Sequence, residues 1–291
     1  MLACCRHGIE RIAEKKDWSV GETVAELKRN YDGYRFSKNG EDIYNPYSLF
    51  SAFEDGDIGS YWYATGTPAF LTDRMRDGDF RLRDLDREEL DAASMMSSDS
   101  YLKTPVALLF QTGYLTISGY DPTFDIYSLR IPNREVEQGL FRNLIPSYTG
   151  KPADRGVIAV RDFVRAVRAG DAEGFLTRLQ SFLADIPYEL SKNKPEVYFE
   201  NNLYIIFKLM GYYVDAEYRT SDGRIDLLLK TDDYIYVMEL KLNGTAQDAI
   251  DQIDAKGYTL PFRTDGRRLF KIGISFSQTT RNIDDWIIDN A

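Results

Sequence analysis

Two acids and a lysine, Asp226, Glu239 and Lys241, combine side-chain types that hydrolyse phosphate esters with the help of a divalent ion. A hard cation such as Mg²⁺ is held by one or two carboxylates, with water and a substrate phosphate as further ligands. A neighbouring ammonium orients or helps to deprotonate the attacking water, or neutralises charge that develops on the phosphate. The spacing alone is weak evidence, because an exposed salt bridge between Glu239 and Lys241 is an ordinary alternative.

The segments that must position these residues have the composition of a β-hairpin. Residues 224–230 and 234–242 are rich in apolar, β-branched and aromatic side chains, and residues 231–233 favour a turn. A hairpin that is symmetric about this turn pairs Asp226 with Glu239, with their Cβ atoms about 4.5–5.5 Å apart. Two like charges at such positions are destabilising, and a cation between them removes the conflict. The pairing therefore favours a metal site.

The alternation of side chains along a strand also predicts which face carries the charges. Glu239 and Lys241 share a face with Ile235 and Val237, while Tyr236 and its alternate neighbours point the other way. The acids and the lysine are thus expected on a face whose other members are apolar.

A helix with polar residues on its packing face is predicted directly after the hairpin. Thr245 is the expected N-cap, with Asp248 three residues later in an acidic variant of the capping box. Helical spacing then places on one face Ala249, Gln252, Ile253 and Lys256. A glutamine and a lysine on such a face indicate that the helix reaches a polar site.

Taken together, these motifs resemble the PD-(D/E)XK nuclease superfamily. The combined motifs are more specific than any one of them, and the resemblance covers about the last hundred residues. The residues that carry it are Glu200, Asp226, Glu239-Leu240-Lys241, the run from Gln252 to Tyr258, the strand at 270–277 and the segment 281–286.

The resemblance implies roles for the matching residues. Asp226 and Glu239 bind Mg²⁺ or Mn²⁺, and the main-chain carbonyl of Leu240 completes the metal site. Lys241 positions the attacking water or stabilises the transition state. Gln252 contacts the substrate or a metal-bound water.

Glu200 lies on a helix predicted from about residue 195 to residue 210, with a strand at 212–218 after it. An acid early in a helix is favoured by the helix dipole alone. The resemblance implies instead that Glu200 is an auxiliary acid near the metal. Tyr258 is interpreted as a structural residue.

Aromatic motifs in the N-terminal half are similar to the distal part of the AAA-ATPase-like region that precedes such nuclease-like domains in bacterial proteins. The motifs lie at residues 31–36, 44–48 and 61–66. No Gly-x-x-x-x-Gly-Lys-Ser/Thr loop occurs in the sequence, so we expect no ATP binding by this chain. The resemblance implies that the chain is a truncated form or a fragment of a larger architecture.

Composition excludes several classes of function. The net charge of −10 argues against broad non-specific nucleic-acid binding, although a small basic groove remains compatible with it. The adjacent cysteines Cys4 and Cys5 predict neither a disulfide framework nor a zinc site, which favours the reducing cytoplasm. The single histidine, His7, disfavours chemistry with a histidine base. No apolar run is long enough for a signal peptide or a membrane span, so no membrane partner is expected.

The region between residues 81 and 148 has the pattern of a winged-helix-like unit. It is predicted to contain two helices and a hairpin, at 84–96, 101–110 and 113–132. The second helix is too apolar to read a DNA groove, so we interpret the unit as a packing or interaction element.

The fold class that follows is α+β. A helical and winged-helix-like N-terminal region is followed by a small α/β restriction-endonuclease-like domain with a mixed sheet. The predicted domains are an AAA-ATPase-like lid and winged-helix-like region at 1–150, a helical connector at 151–187 and the nuclease-like domain at 188–291.

Two classes of function fit this organisation. The first is metal-dependent hydrolysis of DNA phosphodiester bonds. The second is a catalytically silent interaction module built on the nuclease fold, which the acidic charge and the missing nucleotide loop favour. An accessory subunit that docks on a separate ATPase chain and a homo-oligomer are further alternatives for its partners.

Overall fold

A computed structural model of the protein describes residues 2–62, 69–77, 80–96, 105–191, 195–221, 224–242, 244–277 and 279–290. The chain divides into two compact units, Met1–Asn143 and Leu144–Ala291. Helices and strands occur in both units, so the predicted α+β class is confirmed. The boundaries at residues 150 and 187 remain predictions.

The first unit begins with three helices that share a small core. The described helices of this unit are α1 (Leu2–Lys16), α2 (Val20–Tyr31), α3 (Pro46–Asp55), α4 (Ala69–Asp77), α5 (Ala92–Met96) and α6 (Pro105–Gln111). α1 to α3 bury Ile12, Leu27, Tyr31 and Ala52 against one another. A further helix, α7 (Arg134–Thr149), starts in this unit and contains the point of division.

A three-stranded antiparallel sheet completes the first unit. Its strands are β1 (Glu89–Asp91), β2 (Thr116–Asp121) and β3 (Ile126–Arg130), in the order β1-β3-β2. The predicted hairpin is confirmed. The predicted helix at 84–96 is wrong, because the segment forms a 3₁₀ helix, β1 and the short α5. Pairing of β1 with β3 buries Leu90 and overrides the helical pattern. Residues 101–104 of the other predicted helix lie outside the described residues.

The first unit also holds a buried carboxylate, Glu135, at the start of α7. Its side chain is 1% exposed, and its Oε1 accepts hydrogen bonds from the main-chain N–H groups of Tyr61 and Trp62. Two main-chain donors thus satisfy its Oε1, whereas its Oε2 is buried without a hydrogen bond in the described part of the chain. The remainder of the aromatic motif, residues 63–66, lies outside the described part of the chain.

The second unit is a mixed five-stranded sheet between helices. Its helices are α8 (Ala153–Arg168), α9 (Ala172–Ala184), α10 (Pro195–Met210) and α11 (Ala246–Lys256). Its strands are β4 (Asp215–Ser221), β5 (Arg224–Lys230), β6 (Tyr234–Lys241), β7 (Arg268–Ser277) and β8 (Asn282–Asn290), in that order across the sheet. β6 and β7 are parallel, and every other neighbouring pair is antiparallel. α11 supplies the crossover that parallel neighbours require.

The two faces of this sheet are covered by different helices. On one face the Tyr236 hydroxyl donates to the Val167 carbonyl of α8, 2.6 Å away, and Phe199 of α10 stacks on Phe276 of β7. On the other face Ile253 of α11 packs against Val237 and its neighbours. The helices predicted as a connector, α8 and α9, therefore pack in the same unit as the sheet.

The first strand of this sheet starts three residues later than predicted. Tyr212, Tyr213 and Val214 have β-forming side chains, but they form the turn that ends α10. The main-chain N–H groups of Tyr213 and Val214 both donate to the carbonyl of Met210. Among the described helices of both units, none is long and apolar enough to cross a membrane.

Candidate active site

The register of β5 and β6 places the predicted acids directly opposite each other. Asp226 pairs with Glu239, and Arg224 pairs with Lys241. The side chain of Asp226 lies outside the described residues, but its position in the backbone register is described. Leu228, two residues further along β5, packs against the cluster that α11 covers. Because alternate residues of a strand share a face, position 226 belongs to the face under α11.

Glu239 and Lys241 form a buried ion pair. The Lys241 Nζ donates to Glu239 Oε1 at 2.9 Å, and the two side chains are 15% and 0% exposed. The ordinary alternative, an exposed salt bridge on an edge strand, is therefore wrong: β6 is paired on both sides. Desolvating two charges is costly unless good geometry and further hydrogen bonds compensate. A buried ion pair beside a second acid thus costs free energy of folding, and stability alone does not explain it.

Gln252 of α11 provides the further hydrogen bond. The Lys241 Nζ also donates to its Oε1. An ammonium can only donate, so the glutamine amide must turn its oxygen towards the lysine and keep its nitrogen as a donor. That nitrogen, Nε2, is buried and forms no hydrogen bond within the described part of the chain. The structure thus brings together Glu239, Lys241 and Gln252, with Asp226 opposite the glutamate in register.

Capping residues at both ends fix where α11, which lies above β5 and β6, begins and ends. The Thr245 hydroxyl accepts from the Asp248 N–H at 3.0 Å, and the Asp248 carboxylate accepts from the Thr245 N–H, so the predicted capping box is confirmed. The Asp248 carboxylate also accepts from the Thr245 hydroxyl, and the two hydrogen bonds that the carboxylate accepts lower its pKa, the main-chain one contributing most. At the other end Gly257 adopts a left-handed conformation, φ 64°, which glycine takes without strain.

A lysine on β7 tethers the last turn of α11 to the sheet. The Lys271 Nζ lies 2.8 Å from Asp254 of α11 and 3.3 Å from Asp289 of β8. Burial disfavours the charged form of Lys271, but the hydrogen bonds to the two acids outweigh it and raise its pKa. The ammonium therefore stays charged, and it links the helix to the two strands beyond β6.

α11 approaches the sheet closely at Gly273, which pairs with Glu239 across the parallel ladder. A Cβ atom at this position would lie 2.2 Å from the Ala246 carbonyl oxygen and 3.0 Å from the Ile250 nitrogen. The glycine thus sets how near α11, and Gln252 with it, comes to the charged pair. The sequence interpretation missed this role, although a glycine inside an apolar strand signals close backbone approach.

Two further predicted site residues occupy less direct positions. Leu240 lies between the pair in sequence, is fully buried, and is paired on both sides of β6. A ladder carbonyl keeps a second lone pair, so its role as a metal ligand stays a prediction. Glu200 is 7% exposed on α10, which packs against β4 on the opposite side of the sheet from α11. Its role as an auxiliary acid also stays a prediction.

Comparison with known proteins agrees with this geometry. Residues 194–286 match the family model described as the PD-(D/E)XK nuclease superfamily. This segment is thus similar to that superfamily, whose members generally use divalent metal ions.

The PD-(D/E)XK segment is part of a longer similarity. An uncharacterized protein in the vnfD 5′ region of Azotobacter chroococcum mcd 1 is 31% identical over 278 residues. That alignment covers 91% of this chain and 52% of the relative, so the chain spans about half the length of the curated relative that it matches. No solved structure matches the chain. The similarity of the N-terminal half to an AAA-ATPase-like region stays a prediction.

The donor set of the PD-(D/E)XK segment fits a hard divalent ion. Two carboxylates and a main-chain carbonyl are the oxygen ligands that Mg²⁺ and Mn²⁺ prefer. The described residues include no group of three His, Cys, Asp or Glu that would bind a metal by itself. An ion at Glu239 would therefore depend on the opposite residue, Asp226, and on water or substrate for its other ligands.

Proposed function

We propose that this chain hydrolyses phosphodiester bonds of DNA with the help of Mg²⁺ or Mn²⁺. The observation that carries the proposal is the buried Glu239–Lys241 pair, with Gln252 on the lysine and Asp226 opposite the glutamate. A structural ion pair needs no second acid in register, and a like charge there is destabilising. The same arrangement is useful when a cation and a phosphate enter the site.

The residues of the chain divide the work between metal binding and substrate activation. Asp226 and Glu239 would hold the ion, with the carbonyl of Leu240. When bound, a divalent ion polarises the phosphate and makes water a better nucleophile. Because Glu239 is buried beneath α11, its carboxylate is fixed in direction and shielded from bulk solvent. A preorganised ligand of this kind needs little rearrangement during the reaction.

Lys241 and Gln252 act on the reacting groups. The contacts to Glu239 and Gln252 hold the lysine ammonium in one position. From there it orients the attacking water or stabilises charge on the phosphate. The Gln252 Nε2 is a buried donor without a hydrogen-bond partner among the described residues, which suits an enclosed water such as one bound to the ion. The choice of DNA as the polymer is part of the proposal, and the similarity of residues 194–286 to that nuclease superfamily supports it.

The test is a nicking assay on supercoiled plasmid and single-stranded circular DNA, with Mg²⁺, with Mn²⁺ and with EDTA. The wild-type chain should nick only with metal. Asp226→Asn, Glu239→Gln and Lys241→Met should each reduce the rate by at least about 100-fold, the scale for loss of one electrostatic contact to a transition state. Circular dichroism checks that each variant is folded. Metal-dependent nicking that survives all three substitutions would refute the assignment.

A non-catalytic interaction module is the second candidate, and the net charge of −10 favours it. Its partner would be an ATPase chain or another copy of the protein. The two candidates differ in metal affinity, because a silent module has no reason to bind a divalent ion at Glu239. A chain that neither binds Mn²⁺ nor nicks DNA, but co-elutes with an ATPase on size exclusion, would be such a module.

A further inference from the structure

A groove of about 460 Å³ lies on the same face of the sheet as Glu239. It opens between the C-terminal end of α11 and the strands β4 and β5. Its walls combine apolar, aromatic and charged side chains, chiefly Leu228, Lys230, Val237, Lys256, Tyr258 and Phe262. Neither the metal site nor the core requires such an opening.

We propose that this groove binds one unpaired nucleotide of a single-stranded substrate, next to the bond that is cut. The proposal rests on the proposed function and adds the substrate class to it. A base enters such a groove only when it has no pairing partner, so the groove selects single strands or unpaired ends.

The groove lies next to the candidate active site. Three elements, β5, β6 and α11, connect the site to the groove. Leu228 lies two residues after Asp226 on β5, and Val237 lies two residues before Glu239 on β6. Two residues of a strand span about 6.6 Å. On α11, Lys256 lies one turn beyond Gln252, a rise of about 6 Å. A strand of nucleic acid whose phosphate lies at Lys241 thus reaches the groove with its neighbouring nucleotide.

The aromatic wall suits a base. Tyr258 and Phe262 are partly buried and pack against the cluster that contains Val237 and Ile253. Their rings are therefore held in place while they also line the groove. Base–aromatic stacking is tolerant of sequence and needs such a fixed platform. Leu228 gives the same space an apolar floor.

The charges place the sugar–phosphate backbone on the α11 side of the groove. Lys256 is exposed and forms no ion pair with any residue that the structure describes. Lys230, on the opposite side, is paired with Asp215 at 2.9 Å and lies 3.7 Å from Glu217. The carboxylate of Glu217 repels a phosphate there. Lys256 is thus the cation that meets the phosphate, and the base lies between it and the strands.

The test measures binding in EDTA, so that it does not depend on catalysis. Fluorescence anisotropy gives the affinity of the full chain for a labelled twelve-nucleotide oligothymidylate, for an abasic strand of equal length and for a blunt duplex. We expect the oligothymidylate to bind most tightly. Tyr258→Leu and Phe262→Leu should each weaken it about 5- to 150-fold, the range for one stacked base, and leave abasic binding unchanged. Phe124→Leu, at an exposed ring of the first unit, is the matched control and should change nothing.

A second variant separates the phosphate contact from the stacked base. Lys256→Gln should weaken binding of the oligothymidylate and of the abasic strand by the same factor, and should lower the salt dependence by about 0.7 in log–log slope. Lys28→Gln, at an exposed lysine of α2, is its control.

The proposal is overturned if the duplex binds as tightly as the single strand. It is also overturned if folded Phe262→Leu binds both single strands like the wild type. Nicking without any aromatic effect on binding refutes the groove and leaves the nuclease standing. Binding that depends on the aromatic residues, without any nicking, supports the groove and refutes the nuclease activity.

Discussion

Two buried glutamates, one in each compact unit, show what separates an acid used for structure from an acid available for chemistry. Glu135 is 1% exposed and Glu239 is 0% exposed. Glu135 accepts hydrogen bonds from two main-chain N–H groups. Glu239 accepts from the side chain of Lys241 and faces another acidic position, Asp226, across the hairpin.

The two glutamates differ in the groups that surround their carboxylates. Main-chain donors fix the chain segment that bears them, although the Oε2 of Glu135 is buried without a hydrogen bond among the described residues. A lysine and a second acid create a local charge balance that changes when a cation or a phosphate arrives. Burial alone therefore does not identify a site, whereas the identity of the partners does. The predictions below test this comparison, from the largest expected effect to the smallest.

The same substitution should have opposite consequences at the two glutamates. Glu239→Gln should reduce the rate of metal-dependent nicking by at least about 100-fold. An amide is a poor ligand for a hard cation, and it cannot balance the charge of Lys241. Glu135→Gln keeps an acceptor oxygen for Tyr61 and Trp62 and should leave the nicking rate within about twofold. Rate measurements at saturating Mn²⁺ check both. Equal losses at the two positions would break the comparison.

Removal of the acceptor at Glu135 should reveal its structural role. Glu135→Ala leaves the main-chain donors of Tyr61 and Trp62 without their acceptor, at a cost of about 2–4 kcal/mol in the free energy of unfolding of the first unit. Urea denaturation followed by tryptophan fluorescence measures this loss, with Glu135→Gln as the milder control. A nicking rate per folded molecule that falls along with stability would contradict a purely structural role.

A substitution at Gly273 should affect both the stability of the second unit and the activity of the site at Glu239. Gly273→Ala forces α11 away from β7 and should cost about 1–3 kcal/mol of unfolding free energy, as overpacking does. It should also slow nicking, because Gln252 moves with the helix. Gly266→Ala is the control, since a Cβ atom there would meet nothing within 4 Å. A Gly273→Ala chain with wild-type stability would mean that α11 does not dock this closely.

The capping box of α11 should give the smallest effect, and one that depends on pH. Folding lowers the pKa of Asp248 below its ordinary value of 3.8, because the carboxylate accepts hydrogen bonds from Thr245. The folded state therefore binds fewer protons than the unfolded state, and the cap stabilises the protein fully above pH 3.8. This stabilisation disappears as the pH falls through the lowered pKa. The stability difference between wild type and Asp248→Asn, measured in urea at pH 6 and pH 3, should shrink at the lower pH.

Local patterns in the sequence were sufficient to predict the hairpin and its acids. The turn at 231–233 and the strands around it determine the register, so the pairing of Asp226 with Glu239 follows without tertiary information. Helical spacing likewise predicted that Gln252 faces the strands. Gly273 was missed because its role exists only once α11 has docked. The helix predicted at 84–96 failed for a related reason, since pairing with β3 decides that segment.

The most direct test of the account is a calorimetric titration of Mn²⁺ into the wild-type chain, Asp226→Asn and Glu135→Gln. If the paired strands hold a divalent ion, the wild type and Glu135→Gln should show the same saturable binding of Mn²⁺, and Asp226→Asn should show at least about a tenfold loss of affinity. The account is contradicted if Asp226→Asn binds Mn²⁺ as tightly as the wild type, or if the wild type binds none.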